Sequence, residues 1–168
     1  MSITMFQATV PALLQTLNAC AAILDKAAAE AVTRKLDEAV LLNYRLRPDM
    51  FTLCRQFQLV TDFAKGTVAR LASVEVPKYD DTERTFAELK ARIAKTIAFV
   101  QSFKPENING AEDRDITVPV GGQPTTYKGH DYLVKVAFPN FYFHAATAYA
   151  ILRHCGFAIG KRDFLGTI

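Results

Sequence analysis

His144 is the residue whose type and setting best suit it to chemistry. An imidazole can exchange protons near neutral pH, ligate a metal or hydrogen-bond a ligand. Asn140 stands four residues earlier, so on a helix the two share one face, one turn apart. A second polar set, Arg55, Gln58, Asp62 and Lys65, recurs at spacings of three and four and shares one flank of another helix. If those helices face each other, His144 and Asn140 meet Gln58 or Asp62 across an internal polar pocket. Tyr142 can add a hydroxyl to its lining. With Asp62 opposite, His144 could also serve as half of an acid–base pair. Two plainer alternatives stand beside these. His144 can be a core histidine bonded to a neighbouring helix. The polar flank can be solvated, with helix-internal pairs worth about 0.2–0.5 kcal/mol each.

The remaining histidines and the cysteines offer less. His144 and His154 lie about 15 Å apart along a helix, too far to share one ion. Arg153 and His154 fall where positive charge suits a helix C-terminus, and Gly156 supplies the stop. Cys20, Cys54 and Cys155 are widely spaced and odd in number, which reads as reduced core residues in a cytoplasmic protein. No phosphate-binding glycine loop, paired-cysteine motif or nucleophile elbow is present.

The elements that must position these residues are mostly helical. Phe6, Val10, Leu13, Leu14, Leu17, Ala21 and Leu24 predict a first helix over 9–28, capped by Thr9 with Pro11 in its first turn. A short helical piece is expected at 35–42. Met50, Cys54, Phe57, Thr61, Ala64, Val68 and Leu71 predict a second long helix over 48–73. Phe86, Leu89, Ile93, Ile97, Val100 and Phe103 give the third, its capping chemistry expected from Asp80 and Glu83 or Asp81 and Thr82. Residues 115–120 and 125–128 flank Gly121-Gly122-Gln123-Pro124 and predict a short β-hairpin with Pro119 at an exposed edge. The fourth helix carries Phe138 to His154; Pro139 either opens it or kinks a helix begun near His130. Phe164 and Leu165 are expected to dock the tail. These stripes form a four-helix bundle in one domain, residues 1–168, and the long link after the first helix permits a crossover.

Composition fits that picture. The chain has 168 residues, half of them hydrophobic, and a formal net charge of +3. That charge is too small to argue for nucleic acid, and no basic cluster interleaved with aromatics is visible. No unbroken apolar run reaches the roughly 18 residues of a membrane span, and the N-terminus does not read as a signal peptide.

Five motifs occur in an order that resembles a known family. They are Pro48-Asp49-Met50-Phe51, Ala69-Arg70-Leu71-Ala72, Thr85-Phe86-Ala87-Glu88-Leu89, Pro139-Asn140-Phe141-Tyr142-Phe143-His144 with Ala148-Tyr149-Ala150-Ile151-Leu152-Arg153-His154, and Gly160-Lys161-Arg162-Asp163-Phe164-Leu165-Gly166. The chain resembles an uncharacterised bacterial family within the DinB-like (YfiT-like) superfamily of candidate metalloenzymes. The resemblance implies the DinB-like bundle and, often, a homodimer. Metal-binding relatives use one histidine on the second helix and a pair four residues apart on the fourth. Here the pair falls at Asn140 and His144, of which only His144 is a histidine, and the helix-two position falls near Gln58.

Three functions from different classes follow. The first is binding of a small molecule in a polar pocket between the second and fourth helices, lined by His144, Asn140, Gln58, Asp62 and Tyr142. The second is a metal-dependent transferase or hydrolase with zinc or nickel at a variant site on His144. The third is a structural, dimer-forming protein with no ligand. The missing histidines favour the first. The dimer is expected through helical aromatics, since Phe138, Phe141 and Tyr149 cannot all share the face of His144.

Overall fold

Helix α1 (Met5–Thr33) begins at Thr4, whose hydroxyl accepts from the Gln7 backbone while the Gln7 side chain accepts from the Thr4 backbone. The helix therefore starts a turn before the predicted cap. Thr9 lies buried inside it, and Pro11 sits within the second turn. The computed structural model describes residues 2–166, so the outermost residues of the expected domain lie outside it. A short helix α2 (Glu38–Leu42), capped by Asp37, occupies the first half of the link that follows.

Helix α3 (Leu53–Leu71) is capped by Thr52, and α4 (Phe86–Gln101) by Thr85 with Glu88 in a reciprocal capping box. This corrects the expected caps of α4. Asp81 and Glu83 are not used there; they turn inward to ion pairs with Arg92. A one-turn helix α5 (Pro105–Ile108) leads to strands β1 (Asp115–Val120) and β2 (Gln123–Lys128), paired antiparallel from Asp115↔Lys128 to Val120↔Gln123. Gly121 and Gly122 both have positive φ, at 57° and 81°, as a two-residue hairpin turn of this twist demands. The turn is thus shorter than the sequence suggests, and Gln123 and Pro124 join β2.

The last long element is continuous from 129 to 154 but changes pitch. A turn of helix α6 (Gly129–Asp131) passes into a π-helical segment (Tyr132–Ala137) and then α7 (Phe138–His154). Pro139 explains where the pitch changes, because it has no N–H to give the preceding turn. Phe138 N–H reaches back five residues to the Leu133 carbonyl, and the Asn140 amide donates to the Val136 carbonyl at 2.7 Å. Helix α8 (Lys161–Leu165) closes the chain on α1. Phe164 packs on Tyr149, whereas Leu165 stays exposed and contributes its carbonyl to Gln15.

Helix α1 packs chiefly on α4, and α3 on α7; α3 and α4 join the two pairs, while α1 and α3 touch less. The two long helices that follow each other first are therefore not main packing partners, as a crossover requires. The core between them is apolar and includes Leu13, Leu17, Phe57, Ile93, Phe141 and Ile151. Helix α1 is long and apolar enough to cross a membrane by length and composition alone, but it turns its apolar stripe into this core.

Candidate functional site

Helix α3 lies between α4 and α7 and presents a different chemistry to each. Its flank of Arg55, Gln58, Asp62 and Lys65 faces the loop before α4. There the Arg92 side chain, only 3% exposed, binds Asp62 at 2.9 Å, Asp81 at 3.1 Å and Glu83 at 3.0 Å. Arg92 also donates to Thr61 Oγ1 and the Asp80 carbonyl. Gln58 donates to Glu83 at 2.8 Å and accepts from Arg55, which pairs with Asp81. Lys65 holds Asp62 at 2.8 Å. The Tyr79 ring faces Lys65, Arg92 and Lys95 at 4.8, 5.3 and 4.2 Å from its centroid.

The electrostatics of this cluster are nearly closed. Burial alone would raise the Glu83 carboxyl, but hydrogen bonds from Gln58 and Arg92 outweigh it and hold Glu83 below its ordinary value. Burial would likewise lower Arg92; the hydrogen bond it donates to Glu83 and the charges of Asp62, Glu83 and Asp81 reverse that and raise it. Such saturation makes a clasp between α3, α4 and the 79–83 loop.

The α7 side of α3 differs. His144 is 7% exposed, and its Nδ1 lies 2.7 Å from Gln56 Oε1. Gln56 is itself buried and donates to the Phe51 carbonyl. The imidazole stacks on Phe63, with centroids 5.5 Å apart and planes at 19°, and meets Phe143 edge-on. Burial, with the nearby Arg55 charge adding to it, lowers the His144 pKa to about 4. The ring is therefore neutral at physiological pH. With Nδ1 donating, the Gln56 contact is a conventional hydrogen bond.

On the far side of Phe63 two cavities adjoin. One, of about 240 Å³, is lined by Leu59, Asp62, Phe63, Arg70, Val118, Pro119, Tyr132 and Val136. The other, of about 290 Å³, is bounded by Phe63, the hairpin tip, Lys135, Val136 and Asn140. Phe63, Pro119 and Val136 border both. Together they form a cleft with α3 as floor, the π-helical segment as one wall and the hairpin over it.

The structure thus distributes the sequence-predicted site residues. Asp62 and Asn140 both reach this cleft, on either side of Phe63. His144 stands behind Phe63 and lines neither cavity. Gln58 opens to a separate cavity beside Arg55, Cys54 and Asp81. Tyr142 lies toward Thr16 of α1, away from the cleft, and burial raises its phenol pKa. The partner of His144 is Gln56, which the sequence stripes passed over. A signal for it exists: Leu53, Gln56, Val60, Phe63, Thr67 and Arg70 recur at three and four and trace a third face of α3. Arg92 was also findable, as a charge three residues after Leu89 and four before Thr96 on an apolar stripe.

The donor set does not fit a transition metal. His144 is a lone imidazole whose neighbours Gln56 and Asn140 are amides, the latter already bonded to a backbone carbonyl, whereas zinc sites are built from several imidazoles or thiolates. Among the described residues no group of three or more His, Cys, Asp or Glu side chains is placed to hold a metal ion. His130 is on the surface beside Asp131, and His154 stacks on Tyr44.

Fold and site together define a DinB-like four-helix bundle with a hairpin inserted before its last long helix. The chain is similar to a DinB family member protein from Shewanella denitrificans, known from a crystal structure, with 41% sequence identity, a TM-score of 0.91, and coverage of 97% of this chain and 92% of that one. No curated protein matches it. Residues 5–165 match the family model described as a domain of unknown function (DUF1993), and the chain belongs to that family.

Proposed function

We propose that the protein binds a small molecule in the cleft between α3, the π-helical segment and the hairpin. The observation that carries this reading is the cleft itself, which joins apolar walls at Phe63, Val118 and Val136 to polar groups at Asp62, Arg70, Tyr132 and Asn140. Binding sites combine those features, a mostly apolar concavity with few convergent polar groups. The π-helical wall adds support, since such segments recur at functional sites. In this reading His144 and Gln56 are positioning residues, which fix the ring of Phe63 from behind.

Native mass spectrometry of protein purified without a metal-affinity step tests the proposal. The wild type is expected to carry a small-molecule adduct, and Val136→Trp, which fills the cleft, is expected to lose it. An adduct equally retained by both proteins would contradict the assignment.

We further propose a homodimer, in a reducing, cytoplasmic setting that suits three free cysteines. The aromatics first expected at its interface are committed elsewhere: Phe141 is fully buried, and Phe138 and Tyr149 pack on the core. Support comes instead from Phe51 and Phe143, which are 56% and 57% exposed. Light scattering at tens of micromolar should give twice the chain mass, and a monomer would rule the dimer out.

A further inference from the structure

Among the described residues, Arg70 is the one ionised group lining the smaller, more apolar part of this cleft whose charge has no counter-charge. Its guanidinium has five N–H donors, yet among the described residues its only side-chain hydrogen bond is from Nη1 to the Tyr132 hydroxyl, at 3.3 Å. No carboxylate comes within 4.0 Å of it among the described residues, although ion pairs are plentiful elsewhere. Asp62 lines the same cavity but is already neutralised by Arg92 and Lys65. Lys135, at the other end of the cleft, is paired with Asp131.

The backbone makes room for this arrangement. Gly66 stands one turn before Arg70 on α3, and a Cβ placed there would lie 2.4 Å from Arg70 Nη1. The guanidinium therefore folds back over a glycine within a helix interior, where glycine costs about 1 kcal/mol relative to alanine. The half-buried arginine is thus held at the wall by Gly66 on one side and Tyr132 on the other.

We infer that the cleft takes a small amphipathic carboxylate, its anionic group received by Arg70 and its apolar body lying against Leu59, Phe63, Val118 and Val136. This rests on the cleft being the binding site. A planar guanidinium can meet a carboxylate through two parallel hydrogen bonds, with more strength and directionality than a neutral pair. The cavity beside it, about 240 Å³, has room for a short chain or a single ring but not for a long lipid tail.

The test is an NMR titration of ¹⁵N-labelled protein with hexanoate and with its neutral counterpart hexanamide. Hexanoate is expected to move the signals of Phe63, Val118, Val136 and the Arg70 side chain, and to bind at least about tenfold more tightly than the amide, as loss of a charged hydrogen bond implies. Arg70→Met should erase that preference. Gly66→Ala should erase it too, by displacing the guanidinium while keeping its charge and raising helix propensity, so a folding defect is not the cause. Equal binding of acid and amide at these signals would leave the cleft reading intact and overturn the carboxylate. A preference that survives Gly66→Ala and Arg70→Met would overturn Arg70 as its reader. Shifts from neither probe would overturn the inference, and the cleft reading falls separately if Val136→Trp leaves a native adduct unchanged.

Discussion

The two sides of α3 use polar residues in opposite ways. Toward α4, Arg92, Asp62, Asp81, Glu83, Arg55, Gln58 and Lys65 satisfy one another almost completely. Toward α7 and the hairpin there are fewer polar groups, a neutral histidine tied to one amide, and an arginine with a single hydroxyl partner. A saturated network holds elements in place and has nothing left to offer a ligand. An unsaturated guanidinium beside apolar walls has that capacity. On the proposed reading, unspent hydrogen-bonding capacity beside a cavity, rather than charge density, marks the binding site.

The largest expected effect falls on the clasp. Arg92→Met removes the cation shared by three carboxylates and leaves the largely covered Glu83 without its counter-charge. It should destabilise the fold by about 3–5 kcal/mol, read as a lowered urea midpoint, while a variant within 1 kcal/mol of wild type would show the network to be dispensable.

Next comes a pH effect from the other side. The folded His144 pKa of about 4 lies below its unfolded value near 6.5. The unfolded chain takes up this proton first, so stability is full above pH 6.5 and falls as pH drops toward 4, by roughly 3 kcal/mol. Glu83, held below its ordinary value, loses its contribution only beneath about pH 4.5, so the two windows largely separate. Stability measured from pH 7 to 5 should slope in the wild type and flatten in His144→Gln. A flat wild-type profile would mean that the imidazole is not buried.

A smaller effect is expected from the Gln56 contact. His144→Leu leaves the Gln56 amide oxygen unpaired inside the protein, costing about 1–3 kcal/mol at pH 7. Adding Gln56→Leu should recover part of that loss, since both polar groups are then gone. Strict additivity would show that the two do not interact. The smallest effect is at the surface: Asp25 and Lys90 pair at 2.6 Å, but both are about half exposed. Asp25→Asn should change stability by under about 1 kcal/mol, and a larger loss would undo the argument that burial gives the clasp its strength.

Much of this architecture could be read from the sequence. Four apolar stripes gave the bundle, and two glycines flanked by β-patterned residues gave the hairpin. The caps were misplaced because several acidic residues before α4 satisfy the capping rule equally well. Only the position of Arg92 in space decides that Asp81 and Glu83 go inward. The site was legible in part: the polar flank and the Asn140–His144 turn were visible, but not which helix each would face. Gln56 and Phe63 escaped notice because α3 is buried on three sides, so a third face existed where amphipathic reasoning expects one. Arg70 escaped for another reason. Its significance lies in having no carboxylate partner among the described residues, which a linear pattern does not record.

Binding is proposed for the α7 side of α3 and not for the charged side. Backbone NMR shifts from a library of small acids and neutral fragments test it most directly. Responsive signals are expected to cluster at Phe63, Val118, Val136 and Asn140, and Val136→Trp is expected to silence them. Shifts clustering instead at Lys78, Tyr79 and Lys95, beside the Arg92 network, would contradict it.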